Sequence, residues 1–274
     1  MKSTISVVTI VKSRQEALLN LVKGLDLGSL FPQELVIVHM DEPASGITSE
    51  HFMVKSFELT SGEHLPLAAA RNFAVARSTS SHIIFLDVDC IPATDLVQLY
   101  ANAFQSGDKL WTGPVRYLHK GATNAPGFFE KINGLSKPDP VRDDLSKLSY
   151  ELFWSLNFGC SRDVFEQIGG FDEGFSGYGA EDTDFSFAAR ARHVPLGNTK
   201  ALAYHQHHPS YDPPLNHLKD IVTNAQVFFK KWGVWPMEGW LRKFETAGLI
   251  QWKGEEITIL RLPDLDEIAA ALKP

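Results

Sequence analysis

The chain is poor in cysteine, carries no surplus of basic residues and has no long apolar run, and each scarcity removes a class of protein. Only Cys90 and Cys160 occur in 274 residues. That is too few for a disulfide framework, so a hydrophobic core must carry the fold and a reducing cytoplasm is the simpler setting. Lys and Arg number 26 against 33 Asp and Glu, for a net charge of -7. A nucleic-acid binder would show a basic stripe, and an acidic chain that takes an anionic substrate needs local Arg, Lys or a metal ion. No uninterrupted apolar stretch approaches the roughly 18 residues of a membrane span. The early run Ile5–Val11 meets Lys12, Ser13 and Arg14 too soon for a signal-peptide core. What remains is an ordinary globular composition, 44% hydrophobic and 22% charged, with length for a sizeable core.

Residues 5–11, ISVVTIV, are rich in β-branched side chains and predict a strand. Ala17, Leu18, Leu21, Val22 and Leu25 follow at helical spacing, with Ser13 as a candidate N-cap and Glu16 three residues on as a capping box. A second strand over 34–40 completes a β-α-β opening, which favours a parallel sheet. An Ala-rich helix over 65–80, a strand over 82–89, a helix over 95–107 closed by Gly107, and a strand over 110–118 continue the alternation. Doubly wound sheets bind ligands at the carboxyl ends of their strands, and Asp41, Asp87 and Asp89 stand at such ends. The pattern blurs over 121–149, which reads as a long mobile loop of the lid or binding kind. It resumes with a short helix over 162–168 stopped by Gly169 and Gly170, a helix over 181–193 with an acidic first turn, and a short strand over 201–209 that ends in histidines. After Pro213 and Pro214 a helix ended by Gly233, a hairpin around Lys253 and Gly254 and a closing helix predict an appended α+β subdomain.

Four constellations carry candidate chemistry. The first is Asp87 and Asp89 in HIIFLDVDCIP. Residues i and i+2 of a strand share a face, and two carboxylates placed together repel unless a cation lies between them; the alternative is that the strand has ended and both acids are solvated. Oxygen ligands suit Mg²⁺ or Mn²⁺. The second is AYHQHHP, where a nitrogen donor beside carboxylates tilts the metal towards Mn²⁺, against a plain surface cluster of His205, His207 and His208. The third is GGFDEGFSGYGAEDTDF, a glycine-rich approach threaded with Phe171, Phe175 and Tyr178 that delivers Glu181 and Asp182 at a helix start. The helix dipole favours acids there in any case, but the aromatic approach resembles a pocket wall for a sugar. The fourth is AAARN, where Arg71 pairs with a phosphate or with the D-x-D strand, or is a surface Arg of an Ala-rich helix.

The order of VVTIVKSR, AAARNFAVA, IIFLDVDCIP and GGFDEGFSGYGAEDTDF resembles the family 2 glycosyltransferases of the GT-A fold, closest to their galactosyltransferase-like and chondroitin-polymerase-like branch. The resemblance covers roughly residues 5 to 209. It implies an α/β, Rossmann-like, mixed but mainly parallel sheet flanked by helices over 1–209, with a nucleotide-sugar half about 1–118 and an acceptor half about 119–209. A small C-terminal α+β extension would occupy 210–274. It further implies an inverting, metal-dependent transfer of a sugar from a nucleotide donor, a UDP-sugar first, to an acceptor hydroxyl. Asp182 would be the general base with Glu181 beside it. Thr9, Arg14, Asp41, Arg71 and Asp87 would bind the donor nucleotide, and Asp89, His205 and Asp87 would hold Mn²⁺ or Mg²⁺. Trp154, Asn157 and Tyr178 would line the acceptor pocket, for a glycan, lipid-linked or small-molecule acceptor. The setting expected is the cytoplasm, with room for peripheral docking at the inner face of a membrane. There are departures: Asp41 follows His39 and Met40 where a second acid is common, and Ala74 replaces a frequent Gly. The absence of a Q-x-x-R-W segment argues against a processive synthase. A non-catalytic nucleotide- or sugar-binding domain is the main alternative. A D-x-D phosphatase is a weaker one, because its pair would lie near the first strand.

Overall fold

The computed structural model of the chain describes residues 4–62, 64–142, 144 and 148–273. Strands β1 (Ile5–Val11) and β2 (Glu34–Met40) are buried along their whole length. The intervening α1 (Gln15–Asp26) turns Leu18, Leu21, Val22 and Leu25 into the same core as Val7 and Val11. The N-terminal capping box is not made: Ser13 is left-handed, its N–H donates to the Glu42 carboxylate, and Arg14 takes the cap position. Next come β3 (Met53–Leu59), α2 (Leu67–Arg77), β4 (His82–Leu86), β5 (Cys90–Pro92) and α3 (Leu96–Phe104). The sequence reading has no counterpart for β3, a half-exposed edge strand whose MVKSFEL mixes Lys and Glu into the apolar pattern.

Residues 110–118, read as one strand, are two: β6 (Leu110–Thr112) and β7 (Val115–Leu118), which belong to different sheets. The break falls at Gly113 and Pro114, where proline removes a ladder donor. The long loop is not featureless either. It holds a 3-10 turn at Ala122–Asn124, α4 (Phe128–Lys131) and β8 (Ser136–Pro138). Asp139 accepts from both Nε and Nη2 of Arg142, at 3.0 and 2.8 Å. Residues 143 and 145–147 of that segment lie outside the described ones.

The remaining elements are β9 (Asn157–Ser161), α5 (Arg162–Ile168), α6 (Glu181–Ala191), β10 (Leu196–Asn198), β11 (Ala203–His205), β12 (Ser210–Tyr211), α7 (Leu218–Trp232), α8 (Glu238–Thr246), β13 (Ile250–Lys253), β14 (Glu256–Ile259), α9 (Leu265–Ala271) and β15 (Leu272–Lys273). Seven strands form the main sheet in the order β10-β6-β9-β4-β1-β2-β3. It is parallel except at β9, which runs against both β4 and β6. This is the mixed, mainly parallel architecture expected. A smaller sheet, β5-β11-β7-β8, packs the D-x-D region beside the histidines, since β11 pairs antiparallel with β5 and parallel with β7.

One core lies under α1 and α3, the other under α2, α5 and α6. The second is dense in phenylalanine: Phe85 stacks on Phe158 at 4.3 Å and Phe171 on Phe185 at 4.2 Å, offset contacts that add to their area burial. The segment after residue 210 builds its own core from Leu218, Ile221, Val222, Leu241, Phe244 and Ile257. It is nonetheless bolted to α6. Lys231 lies 2.7 Å from Asp172 and 2.9 Å from Asp184, and the Trp232 indole N–H donates to Asp184 at 2.7 Å.

Candidate active site

The carboxyl ends of β1, β2 and β4 lie on one edge of the sheet because these strands are parallel neighbours. β4 stops at Leu86, one residue before the first acid. Asp87 closes a tight turn: its carbonyl accepts from the Cys90 N–H at 2.8 Å and its carboxylate from the Asp89 N–H at 2.9 Å. The expectation that the two acids share a strand face therefore gives way to an Asx-type turn. The acids are not solvated alike, however: Asp89 is only 7% exposed. Burial, and then the Asp87 carboxylate, push the Asp89 carboxyl up to about 6. Arg14 Nε approaches Asp89 at 3.5 Å and His208 Nε2 at 3.6 Å.

Asp89, His205 and His208 each bring one ligand atom into a group whose members lie within 4.8 Å of one another. On a continuing strand His205 and His207 would share a face. β11 ends at His205, and the Gln206 N–H donates to the Asp89 carbonyl at 2.7 Å. The Gln206 side chain is pinned to α1 by Ala17 and Asn20. The chain has left the strand, so His207 is exposed and His208 joins the group. Asp87, expected as a metal partner, stands outside it. One carboxylate oxygen and two imidazole nitrogens suit Mn²⁺ or a later first-row ion better than Mg²⁺. Burial pushes His205 below the usual imidazole range, which keeps it neutral and able to ligate.

Beside this group a small pocket is lined by Thr9, Arg71, Asp87 and Ser155, among others. The Thr9 hydroxyl is buried without a hydrogen-bond partner. Arg71 pairs not with the D-x-D acids but with Glu181, at 3.0 Å, in a buried ion pair, and its guanidinium lies 5.1 Å from the Phe171 ring centre. Glu181 and Asp182 open α6, behind a left-handed Ala180. Burial, and then the Glu181 carboxylate, push the Asp182 carboxyl up to about 6, although the Arg71 charge and the backbone N–H groups of Thr183 and Ser155 oppose the rise. Ser155 thus borders the pocket and touches Asp182 as well; sequence reasoning gave it no role. Further out, Asp41 accepts from the Ser61 N–H at 2.8 Å and pairs with Lys12 at 3.1 Å, and these contacts hold its carboxyl at about 2.

Two expectations for the acceptor side need correction. Asn157 is buried, and its amide is spent inside the fold. It donates to the carbonyls of Ala201 (2.7 Å) and Pro114 (3.2 Å) and accepts from the Tyr100 hydroxyl at 2.9 Å. Phe171 and Phe175, read as pocket wall, are both 2% exposed and belong to hydrophobic clusters. Hydrophobicity at a glycine-rich loop signals anchoring as readily as binding, and here anchoring wins. Burial, and then the Glu181 and Asp182 carboxylates, raise the Tyr178 phenol well above the usual value. It stacks on His217 at 4.6 Å with Trp240 at 6.2 Å. Trp154 lies under the Arg142 guanidinium at 4.0 Å. His208 was legible as a member of a histidine cluster; His217, Ser61 and Gln206 carried no local signal.

Comparison with known proteins bears out the resemblance. Residues 51–169 match the model described as "Glycosyl transferase family 2", and residues 144–203 match "N-terminal domain of galactosyltransferase". Validoxylamine A glucosyltransferase from Streptomyces hygroscopicus subsp. limoneus is 26% identical over 221 residues, which cover 69% of this chain and 48% of that protein. The chain therefore spans about half the length of that curated relative. The structure of S. aureus TarS 1-349 in complex with UDP-GlcNAc superposes with a TM-score of 0.54 at 15% identity, covering 76% of this chain and 59% of that one. That of GalNAc-T7 with UDP, GalNAc and Mn2+ gives 0.55 at 14% identity, covering 90% and 57%. At such identities these two structures show a shared GT-A fold.

Proposed function

We propose, for a chain that carries a family 2 glycosyl transferase segment on a GT-A sheet, that it is an inverting, metal-dependent glycosyltransferase using a nucleotide-sugar donor, UDP-linked first. The observation that carries this reading is the juxtaposition of two sets of groups around one pocket. Asp87, whose carboxylate accepts from the N–H of Asp89 in the Asp89, His205 and His208 group, lines the pocket together with Ser155, whose N–H contacts Asp182, and Arg71, which pairs with Glu181 next to Asp182. TarS, solved with UDP-GlcNAc, and GalNAc-T7, solved with UDP and Mn2+, support the choice of nucleotide and ion.

In this reading Thr9 and Asp41 border the base and ribose, and Arg14 and Asp87 border the diphosphate. Bound at Asp89, His205 and His208, Mn²⁺ would supply a Lewis acid that offsets charge growing on the departing diphosphate. Asp182 takes the proton of an acceptor hydroxyl whose oxygen forms the new bond to the anomeric carbon. The bond to the β-phosphate oxygen breaks and its electron pair leaves with the nucleoside diphosphate, so one displacement inverts the centre. A base that titrates at about 6 is ionised at neutral pH yet basic enough to accept the proton. Glu181 ties Arg71 beside that base. Tyr178 and Trp154 stand on the acceptor side. A cytoplasmic setting suits the two buried free thiols, Cys90 and Cys160. Among the described residues no helix is long and apolar enough to cross a membrane.

Titration calorimetry with UDP, with and without Mn²⁺, tests the reading on the wild type and on Asp89→Ala. Binding that needs Mn²⁺ and disappears in the variant is expected. Wild-type binding that is indifferent to the metal would remove the metal role. No binding of UDP, GDP or other nucleotides would favour a non-catalytic domain.

A further inference from the structure

We infer that helix α7 of the C-terminal segment is a positioning element for the general base. Asn224 and Asp220 hold the glycine-rich loop in the backbone conformation that presents Asp182. The inference rests on the function proposed above for Asp182.

The loop that leads into α6 is conformationally unusual. Gly177, Gly179 and Ala180 have φ of +76°, +104° and +70°. Glycine takes the left-handed region freely, but Ala180 bears a Cβ that disfavours it, and it is the residue directly before Glu181 and Asp182. Such a run persists only where the surroundings over-determine it, and here they are on α7. Asn224 is 1% exposed, and its Nδ2 donates to the carbonyls of Gly179 (2.9 Å), Ser176 (3.0 Å) and Tyr178 (3.4 Å). Its Oδ1 is buried with no hydrogen-bond partner. An amide that leaves its acceptor unmet is held there for its donors, and every donor contact goes to this loop.

Asp220, one helical turn earlier, adds a second hold. Its carboxylate accepts from the Tyr178 N–H at 3.3 Å and occupies the space a Cβ on Gly177 would need. His64 Nδ1 at 3.3 Å and His217 Nδ1 at 3.9 Å flank it. From the opposite side the Leu65 carbonyl accepts from the Gly177 N–H at 3.1 Å. Below, Phe175 and Phe187 both pack on Phe228 of α7. The α7 residues of this clamp, Asn224, Asp220 and Phe228, lie outside both matched family segments, 51–169 and 144–203. The C-terminal segment, which the sequence suggested was an appendage, is on this account part of the active site.

Asn224→Asp is the sharp variant, because it keeps the volume and replaces two donors by an oxygen that faces three carbonyls. Deuterium exchange over residues 174–182 is expected to quicken at least tenfold. Turnover of a panel of UDP-sugars, read as UDP release, is expected to fall at least tenfold, with KM for the donor and UDP affinity in Mn²⁺ within twofold of wild type. Unchanged exchange over 174–182, or a loss of UDP affinity in step with turnover, would overturn the inference. Should Asn224→Asp fail to fold, Asp220→Ala removes the partly exposed hold alone and is read the same way. The two ideas fail separately. A wild type that binds no nucleotide sinks the function and with it the catalytic meaning of the clamp. Bound nucleotide with unmoved exchange in the variants sinks the clamp alone.

Discussion

The proposed active site has a donor side and an acceptor side, and the two are built by different means. On the donor side Lys12, Arg14, Asp41, Asp87 and Asp89 follow directly on buried strands, and the parallel pairing of β1, β2 and β4 brings them to one edge. Their contacts run between neighbouring strand ends and are partly exposed, such as Lys12 with Asp41 and Arg14 with Asp89. On the acceptor side Asp182 is aimed by a loop with three left-handed residues, anchored by Phe171 and Phe175 and clamped by a helix about 40 residues further along the chain. A regular sheet delivers side chains to its edge by default, whereas an irregular loop needs remote partners to hold one conformation. The donor side should therefore forgive the loss of single contacts that the acceptor side does not.

The largest expected effect sets chemistry against stability on the acceptor side. Asp182→Asn removes the proposed base and should cut turnover by about 10²–10⁴-fold, with UDP affinity in Mn²⁺ kept; a variant with full turnover would dismiss Asp182 as the base. The wild-type rate should fall below about pH 6 as Asp182 takes up a proton. The sign for stability is opposite. The folded carboxyl titrates at about 6 against an ordinary 3.8, so the folded state binds that proton more tightly than the unfolded state does. Ionised Asp182 then weakens the fold above pH 6. Asp182→Asn should melt higher than wild type at pH 8, with the gain shrinking as pH falls through 6 towards 4.

Next in size is Gly177→Ala. A Cβ at φ +76° is strained, and it meets the Asp220 carboxylate. A loss of about 1–3 kcal/mol in urea unfolding is expected; a neutral result would mean that the loop is free to relax, and the contrast between the two sides would collapse. Smallest is Ser61→Ala on the donor side. It removes the hydroxyl's contacts to the His64 carbonyl at 2.8 Å and to Asp41 at 3.1 Å and leaves the backbone contact to Asp41. The Asp41 carboxyl should rise only slightly from about 2 in an NMR titration, because the Ser61 N–H and Lys12 still hold it, and the melting temperature should hardly move. A clear drop in melting temperature would show that the donor edge is as tightly coupled as the acceptor loop.

Much of this was legible without coordinates. The β-branched runs at 5–11 and 34–40, the Ala-rich helix and the apolar run into Asp87 identified the sheet, because a strand buried on both faces must be continuously apolar. The antiparallel β9 was not legible: NFGCS is short, and Gly159 interrupts its apolar pattern where the backbone of Ile83 and the rings of Tyr100 and Phe104 come close. Ser13 and Glu16 look like a capping box, yet the box is made by Asp264 and Glu267 on α9, since the chain at Ser13 bends to meet Glu42. Asn157 reads as a polar residue near a pocket because spacing says nothing of where an amide is spent.

By itself the sequence determined the strands at 5–11 and 34–40 and most of the longer helices, that Asp87 and Asp89 follow an apolar strand, and that Glu181 and Asp182 begin a helix; each is a local pattern of period, cap or composition. Only the tertiary structure decided that His208 rather than His207 joins Asp89 and His205, that Arg71 pairs with Glu181, and that Asn224 holds the loop before Asp182. Those choices join residues separated by 45 to 119 positions, across strand ends and loops where the periodicities of 2 and 3.6 have lapsed. What fixes them is which buried polar group finds a partner in the packed chain, and no local pattern encodes that.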